Sequence, residues 1–120
     1  MRRKHHNLKL WQDSRALVKE VYEATGDFPR EEIYGLTGQM RRAAVSIPSK
    51  IAEGAGRNGV REFIQFLSIA RGSLSELETQ VVLAQDLGYL DETSSLLERI
   101  GSVFSLAGGL LTSLQKRFSE

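Results

Sequence analysis

The stretch FIQFLSIARGSLSELETQVVLA, residues 63–84, decides the fold. Its apolar residues recur in alternating steps of four and three, which places them along one side of an α-helix for three heptads. They are Phe63, Leu67, Ala70, Leu74, Leu77, Val81 and Ala84. An apolar side of this length has to be buried against other helices, so the stretch predicts a helical bundle.

The sequence on either side predicts three more amphipathic helices, because apolar residues continue at spacings of three and four. The first begins near Leu10 and ends at Thr25. The second has its apolar side at Ile33, Leu36, Met40, Ala44, Ile47 and Ile51. Asp91 with Ser94 opens the fourth,. Its apolar side is formed by Leu96, Ile100, Val103, Ala107, Leu110 and Leu114.

Prolines and glycines mark the breaks in this pattern. Pro48 removes one hydrogen bond inside the second helix and predicts a kink there,. Three glycines between residues 53 and 59 end that helix, and Gly88 ends the third,. We therefore predict an all-α protein, an antiparallel up-down-up-down four-helix bundle over residues 10–118, preceded by a basic N-terminal tail over residues 1–9.

Length and composition narrow the class of protein. A chain of 120 residues fits one domain, and without cysteine it has no disulfide and no thiolate nucleophile,. No apolar run approaches the roughly 20 residues of a membrane span, so we expect a cytoplasmic protein with no membrane segment. The net charge of +1 is unevenly distributed: residues 1–71 hold 13 Lys and Arg against 8 Asp and Glu, whereas residues 72–120 hold 3 against 7.

The histidines argue against an enzyme. His5 and His6 are adjacent in the basic tail and have no third ligand at metal spacing,. No Ser-His-Asp set, phosphate-binding loop or pair of catalytic carboxylates can be assembled. A helical ribonuclease of the toxin type needs an arginine followed closely by a histidine on a packed helix, but both histidines precede the first helix. We predict a non-enzymatic protein without metal or cofactor.

One group of cations is a candidate nucleic-acid site. It surrounds the second helix and the start of the third, and comprises Arg41, Arg42, Lys50, Arg57 and Arg61. Guanidinium groups bind phosphates through paired hydrogen bonds. The alternative is a solvated face whose cations form local ion pairs with Glu53 and Glu62.

A second candidate site lies on the third helix, outside its main apolar side. Ile69, Leu83 and Leu87 widen the apolar surface, and Glu76 lies on the same edge, where it is able to pair with Arg71 of another copy,. We predict an oligomer interface here. The alternative is that this helix contacts two neighbours within its own bundle.

The chain resembles the 23S rRNA intervening-sequence protein family from about residue 8 to residue 115. The most specific stretches are residues 39–54 and 72–80, and Lys50 replaces the asparagine usual at its position. The stretches that carry the resemblance are Leu10-Trp11-Gln12, Val21-Tyr22 through Phe28-Pro29, Glu32 to Pro48, Ile51-Ala52-Glu53-Gly54 and Ala70 to Gln80.

The resemblance implies a bacterial four-helix bundle that assembles as a homopentamer and whose gene can lie inside an insertion in large-subunit ribosomal RNA. The chain is also similar to the accessory variability proteins of diversity-generating retroelements, pentameric bundles that bind nucleic acid and a reverse transcriptase. We therefore expect self-assembly and binding of RNA, DNA or a ribonucleoprotein. The alternative is a structural or protein-interaction module with no nucleic-acid role.

Overall fold

The computed structural model describes residues 3–92 and 94–119, and four α-helices account for most of them. They are α1 (Lys9–Thr25), α2 (Leu36–Ala55), α3 (Val60–Asp86) and α4 (Leu96–Ser119). Single turns of 3-10 helix at Lys4–Asn7 and Arg30–Glu32 precede α1 and α2. The described ranges contain no strand, which confirms the all-α prediction.

The helices form a closed bundle. Each packs against its neighbours in sequence, and α1 also packs against α4. Because the connections between them are short, successive helices run antiparallel, as predicted. The molecule measures 49 × 27 × 20 Å, and α3, with 27 residues, spans most of its length. None of the described helices combines the length and the apolar character needed to cross a membrane.

The core follows the predicted apolar sides. On α3 every predicted position is buried except Phe63, which is half-buried. One difference occurs on α4, where Leu111 is buried and Leu110 is only half-buried. Both residues lie within one turn of Ala107, so either satisfies the helical spacing and the position of the neighbouring helix selects between them.

The start of α2 differs from the prediction. Ile33 precedes the helix and is 54% exposed, whereas the sequence had placed it on the apolar side. The Glu32 carboxylate accepts a hydrogen bond from the N–H of Leu36, the first residue of α2, at 3.0 Å, which favours a helix that begins there. The other oxygen of Glu32 accepts from the Tyr89 hydroxyl at 3.0 Å, which ties this turn to the α3–α4 connection.

The end of α2 differs for another reason. Gly54 was predicted to help end the helix, but it lies inside α2 and is buried. A Cβ on this residue would lie 2.6 Å from the Cβ of Phe66, so the glycine lets α2 and α3 approach each other. The helix continues without interruption through Pro48, and the bend there stays a prediction. Gly88 has φ of +79°, which confirms its role in ending α3.

Candidate nucleic-acid interface

Folding turns the uneven charge of the chain into a polarity along the bundle. Antiparallel helices bring residues 3–13, 50–62 and 110–119 to one end, which holds eight Lys and Arg and three Asp and Glu (8 − 3 = +5). Residues 20–32, 86–92 and 94–99 meet at the other end, with two Lys and Arg and nine Asp and Glu (2 − 9 = −7). We call these the basic end and the acidic end.

Two of the predicted cations meet at the basic end around one carboxylate. Lys50 Nζ lies 3.3 Å from Glu53 Oε1, and Arg57 Nη2 lies 3.2 Å from Glu53 Oε2. Hydrogen bonds from Lys50 and then from Arg57 hold the pKa of Glu53 below its usual value. Arg57 also lies 4.0 Å from Glu62. The ion pairs predicted as the alternative are thus present, but they are exposed, and such pairs exchange readily for another anion.

The same two cations cover an aromatic ring. Lys50 Nζ lies 5.9 Å from the centroid of the Phe66 ring, and the guanidinium carbon of Arg57 lies 5.1 Å from it. Arg61 is exposed in the first turn of α3 and makes no ion pair with the described residues. Lys50, Arg57 and Arg61 therefore share the basic end.

Arg41 lies apart from this group and has a structural role. Its Nε donates to Thr25 Oγ1 at 2.9 Å, and its Nη2 donates to the Tyr22 carbonyl oxygen at 3.3 Å. The guanidinium also lies 4.5 Å from the centroid of the Tyr22 ring. Arg41 thus ties α2 to the C-terminal turn of α1.

Arg42 is adjacent in sequence but points to a different side of α2. It is exposed, makes no ion pair with the described residues and lines a depression between α2 and α3. Lys50 lies about 12 Å further along the helix. The five predicted cations therefore do not form one cluster.

The sequence reasoning missed cations that the fold adds to the basic end. These are Arg3, Lys4, Lys9, Lys116 and Arg117. Lys4 and Arg117 line one cleft together with Arg57, although they lie 53 residues before it and 60 residues after it. The signal that identifies them is their position: an antiparallel bundle brings the start of α1 and the end of α4 to the same end.

The N-terminal segment is folded against the bundle over residues 4–7. The rings of His5 and His6 lie 4.8 and 5.2 Å from the ring of Trp11, between centroids. Burial against this ring lowers the pKa of His5, and the positive neighbours His6 and Arg3 lower it further. This packing places Lys4 beside the α2–α3 connection.

The predicted interface residues on α3 lie at the surface. Ile69, Leu83 and Leu87 are 50%, 46% and 57% exposed, so the neighbours of α3 within the bundle leave about half of each side chain uncovered. Glu76 is exposed and makes no ion pair with the described residues. Gln80 lies between Glu76 and Leu83 in the sequence. Its side chain is buried, and its Oε1 has no hydrogen-bond partner in the described structure.

The polar residues on this edge meet across the α2–α3 groove. The hydroxyl of Ser46 donates to that of Ser73. Gln80 and Glu76 line the same depression as Arg42. The edge therefore combines exposed apolar side chains with a buried, unpaired amide oxygen, a group that is normally satisfied by a partner.

Comparison with known families agrees with this architecture. The family model described as 23S rRNA-intervening sequence protein matches residues 6–106, which include α1, α2, α3 and the first half of α4. The chain has no match among curated proteins.

Proposed function

Because the chain belongs to the 23S rRNA-intervening sequence protein family, we propose that it is a non-enzymatic, self-assembling bundle that binds nucleic acid through its basic end. The charge polarity carries this proposal, since eight cations from three separate segments converge on one end of the molecule. Lys and Arg that gather on one surface attract the phosphate backbone and release its counterions.

Self-assembly is supported by the outer edge of α3. Three apolar side chains on this one edge are about half exposed, and exposed apolar residues that form a contiguous patch mark a protein interaction site,. A second copy that donates a hydrogen bond to Gln80 Oε1 would also satisfy the buried amide,. The proposed oligomer is the homopentamer that the family resemblance implies.

Assembly strengthens nucleic-acid binding. If the bundles stand side by side, their basic ends lie on one face, and each site raises the effective concentration of the next. Weak phosphate contacts then add up to useful affinity. The second candidate function, a structural or protein-interaction module, needs only the α3 edge and not the basic end.

The assembly is tested by measuring molar mass with light scattering. We expect the wild-type protein at a multiple of its 13.4 kDa chain mass, and a double variant, Leu83→Glu with Leu87→Glu, at a single chain. Phe118→Ser is the matched control, because Phe118 is 59% exposed but lies at the end of α4. A wild-type protein that stays a single chain at all concentrations would refute self-assembly.

Nucleic-acid binding is tested by titrating structured RNA and duplex DNA at increasing salt. The logarithm of the association constant should fall linearly with the logarithm of the salt concentration, and Arg61→Gln should reduce the slope by about 0.7–0.9 for each phosphate contact that is lost. The control is Arg30→Gln, an exposed cation near the acidic end. Absence of any salt-dependent complex would leave the structural module as the function.

A further inference from the structure

A cleft of about 450 Å³ opens at the basic end, between the N-terminal segment, the α2–α3 connection and the last turns of α4. Its walls are largely apolar and come from four segments: Leu8, Ala55, Val60, Phe63, Leu110 and Leu114. Three cations, one amide and one glycine complete the lining: Lys4, Arg57, Arg117, Asn58 and Gly59.

We propose that this cleft binds an unpaired nucleotide, with the base between the apolar walls and the adjoining phosphates on the cationic rim. The proposal rests on the proposed function and specifies the form of nucleic acid: single-stranded or bulged, rather than fully paired. A volume of this size falls within the usual range of ligand-binding pockets.

The rim matches the charge of a nucleotide. Lys4 and Arg117 make no ion pair within residues 3–92 and 94–119, so neither is neutralised by the described part of the protein. The ion pairs of Arg57 are exposed, and a phosphate competes with them,. These cations come from three separate segments that all line the cleft, so a ligand that enters it meets positive charge from each segment.

The walls match the chemistry of a base. Phe63 is half-buried and supplies an aromatic ring, the group on which unpaired bases usually stack,. The Asn58 side chain is exposed at the mouth, makes no hydrogen bond with the described residues, and offers both a donor and an acceptor to a base edge,. An acyl chain would fill the apolar walls but leave this amide unused.

A neighbouring depression gives the strand a path. It has a volume of about 630 Å³, shares Lys4, Arg57 and Asn58 with the cleft, and adds Arg3 and His5. Three cations, Arg3, Lys4 and Arg57, and one carboxylate, Glu53, line this depression, so a nucleotide chain that leaves the cleft continues along a surface with more positive than negative charge. A regular duplex keeps its bases stacked inside, so it contacts the rim but places nothing between the walls.

The test compares three RNA probes on the full chain: a blunt duplex, the same duplex with one bulged nucleotide, and the single strand. We expect the bulged duplex and the single strand to bind at least about fivefold more tightly than the blunt duplex at equal salt. Fivefold is the lower end of the gain in affinity expected when one base stacks on an aromatic ring. Asn58→Ala and Phe63→Leu should shrink this ratio and leave the binding of the blunt duplex unchanged. Gln65→Ala, which alters an exposed amide elsewhere on α3, should change neither quantity.

Each outcome distinguishes this inference from the proposed function. Salt-dependent binding that is equal for paired and bulged probes, in the wild type and in Asn58→Ala, overturns the unpaired-nucleotide site and leaves the proposed function standing. Absence of salt-dependent binding to all three probes overturns the proposed function as well. If oleate below its micellar concentration binds, and Asn58→Ala leaves the probe ratio unchanged, the cleft binds an anionic amphiphile and the inference is wrong. Because Phe63 also packs near Gly54, the conclusion rests on Asn58→Ala if Phe63→Leu does not fold.

Discussion

Replacing Gly54 by alanine inserts one methyl group between α2 and α3. The new Cβ would lie 2.6 Å from the Cβ of Phe66 and 3.1 Å from Cδ1 of Phe63. The Cβ of Phe66 is bonded to the main chain, so no rotation of a side chain removes the overlap and the two helices have to move apart. Overpacking of this kind costs typically about 1–3 kcal/mol, and the upper part of that range applies because the contact is with a fixed atom.

Part of this cost is offset by the backbone. Alanine is more favourable than glycine inside a helix by about 1 kcal/mol. The net expectation for Gly54→Ala is therefore a loss of about 1–2 kcal/mol in the free energy of unfolding.

The matched control is Gly109→Ala on α4. A Cβ there would meet nothing within 4 Å, so only the backbone effect remains. We expect this variant to gain about 0.5–1 kcal/mol. The two alanine variants should then differ by about 1.5–3 kcal/mol, and this difference reflects the packing at Gly54 because the backbone effect is common to both.

The assay is urea unfolding followed by circular dichroism. Both variants and the wild type are measured at one protein concentration, because self-association would make the apparent stability depend on concentration. If Gly54→Ala is as stable as Gly109→Ala, the close approach of α2 and α3 at this residue is wrong.

Three further predictions concern single side chains. Arg41→Met should lower the free energy of unfolding by about 1–3 kcal/mol, because hydrogen bonds from a charged group to the end of α1 are lost,. The control Arg42→Met should change the free energy of unfolding by less than about 0.5 kcal/mol. Equal urea midpoints for the two variants would contradict the structural role of Arg41. The hydrogen bond that Tyr89 donates to the Glu32 carboxylate raises the pKa of Tyr89 above 10.0, so the stability from this bond is complete below pH 10 and is lost as pH rises through the raised pKa. Absorbance at 295 nm should therefore show one tyrosine that ionises late and that is absent in Tyr89→Phe. The same titration curve for both proteins would rule this out. Glu53→Gln frees Lys50 and Arg57 from their ion pairs and should tighten RNA binding about two- to fivefold,. The control Glu92→Gln makes the same charge change at the acidic end and should leave the affinity unchanged. Weaker binding in Glu53→Gln would mean that the carboxylate positions the two cations instead.

The sequence predicted the helices well because their signal is local. The spacing of apolar residues from Phe63 to Ala84 is repeated within a single helix, and burial of such apolar sides is the dominant favourable contribution to folding,. The same spacing placed Ile69, Leu83 and Leu87 outside the core, and the structure leaves them about half exposed. The ends of α2 were misplaced where apolar spacing does not decide them: Ile33 is left outside by the hydrogen bond from Leu36 to Glu32, and Gly54 lies inside because α3 packs closely against it.

The sequence by itself therefore determined the fold class, the order of the helices, the α3 edge and the excess of positive charge in the first 71 residues. Only the tertiary structure decided which cations share a surface: it joined Lys4 and Arg117 to Arg57 in one cleft and tied Arg41 to α1. The physical reason is that helical periodicity depends on residues three and four apart, whereas an ion pair, a cleft or a helix contact depends on groups that folding brings together from distant parts of the chain.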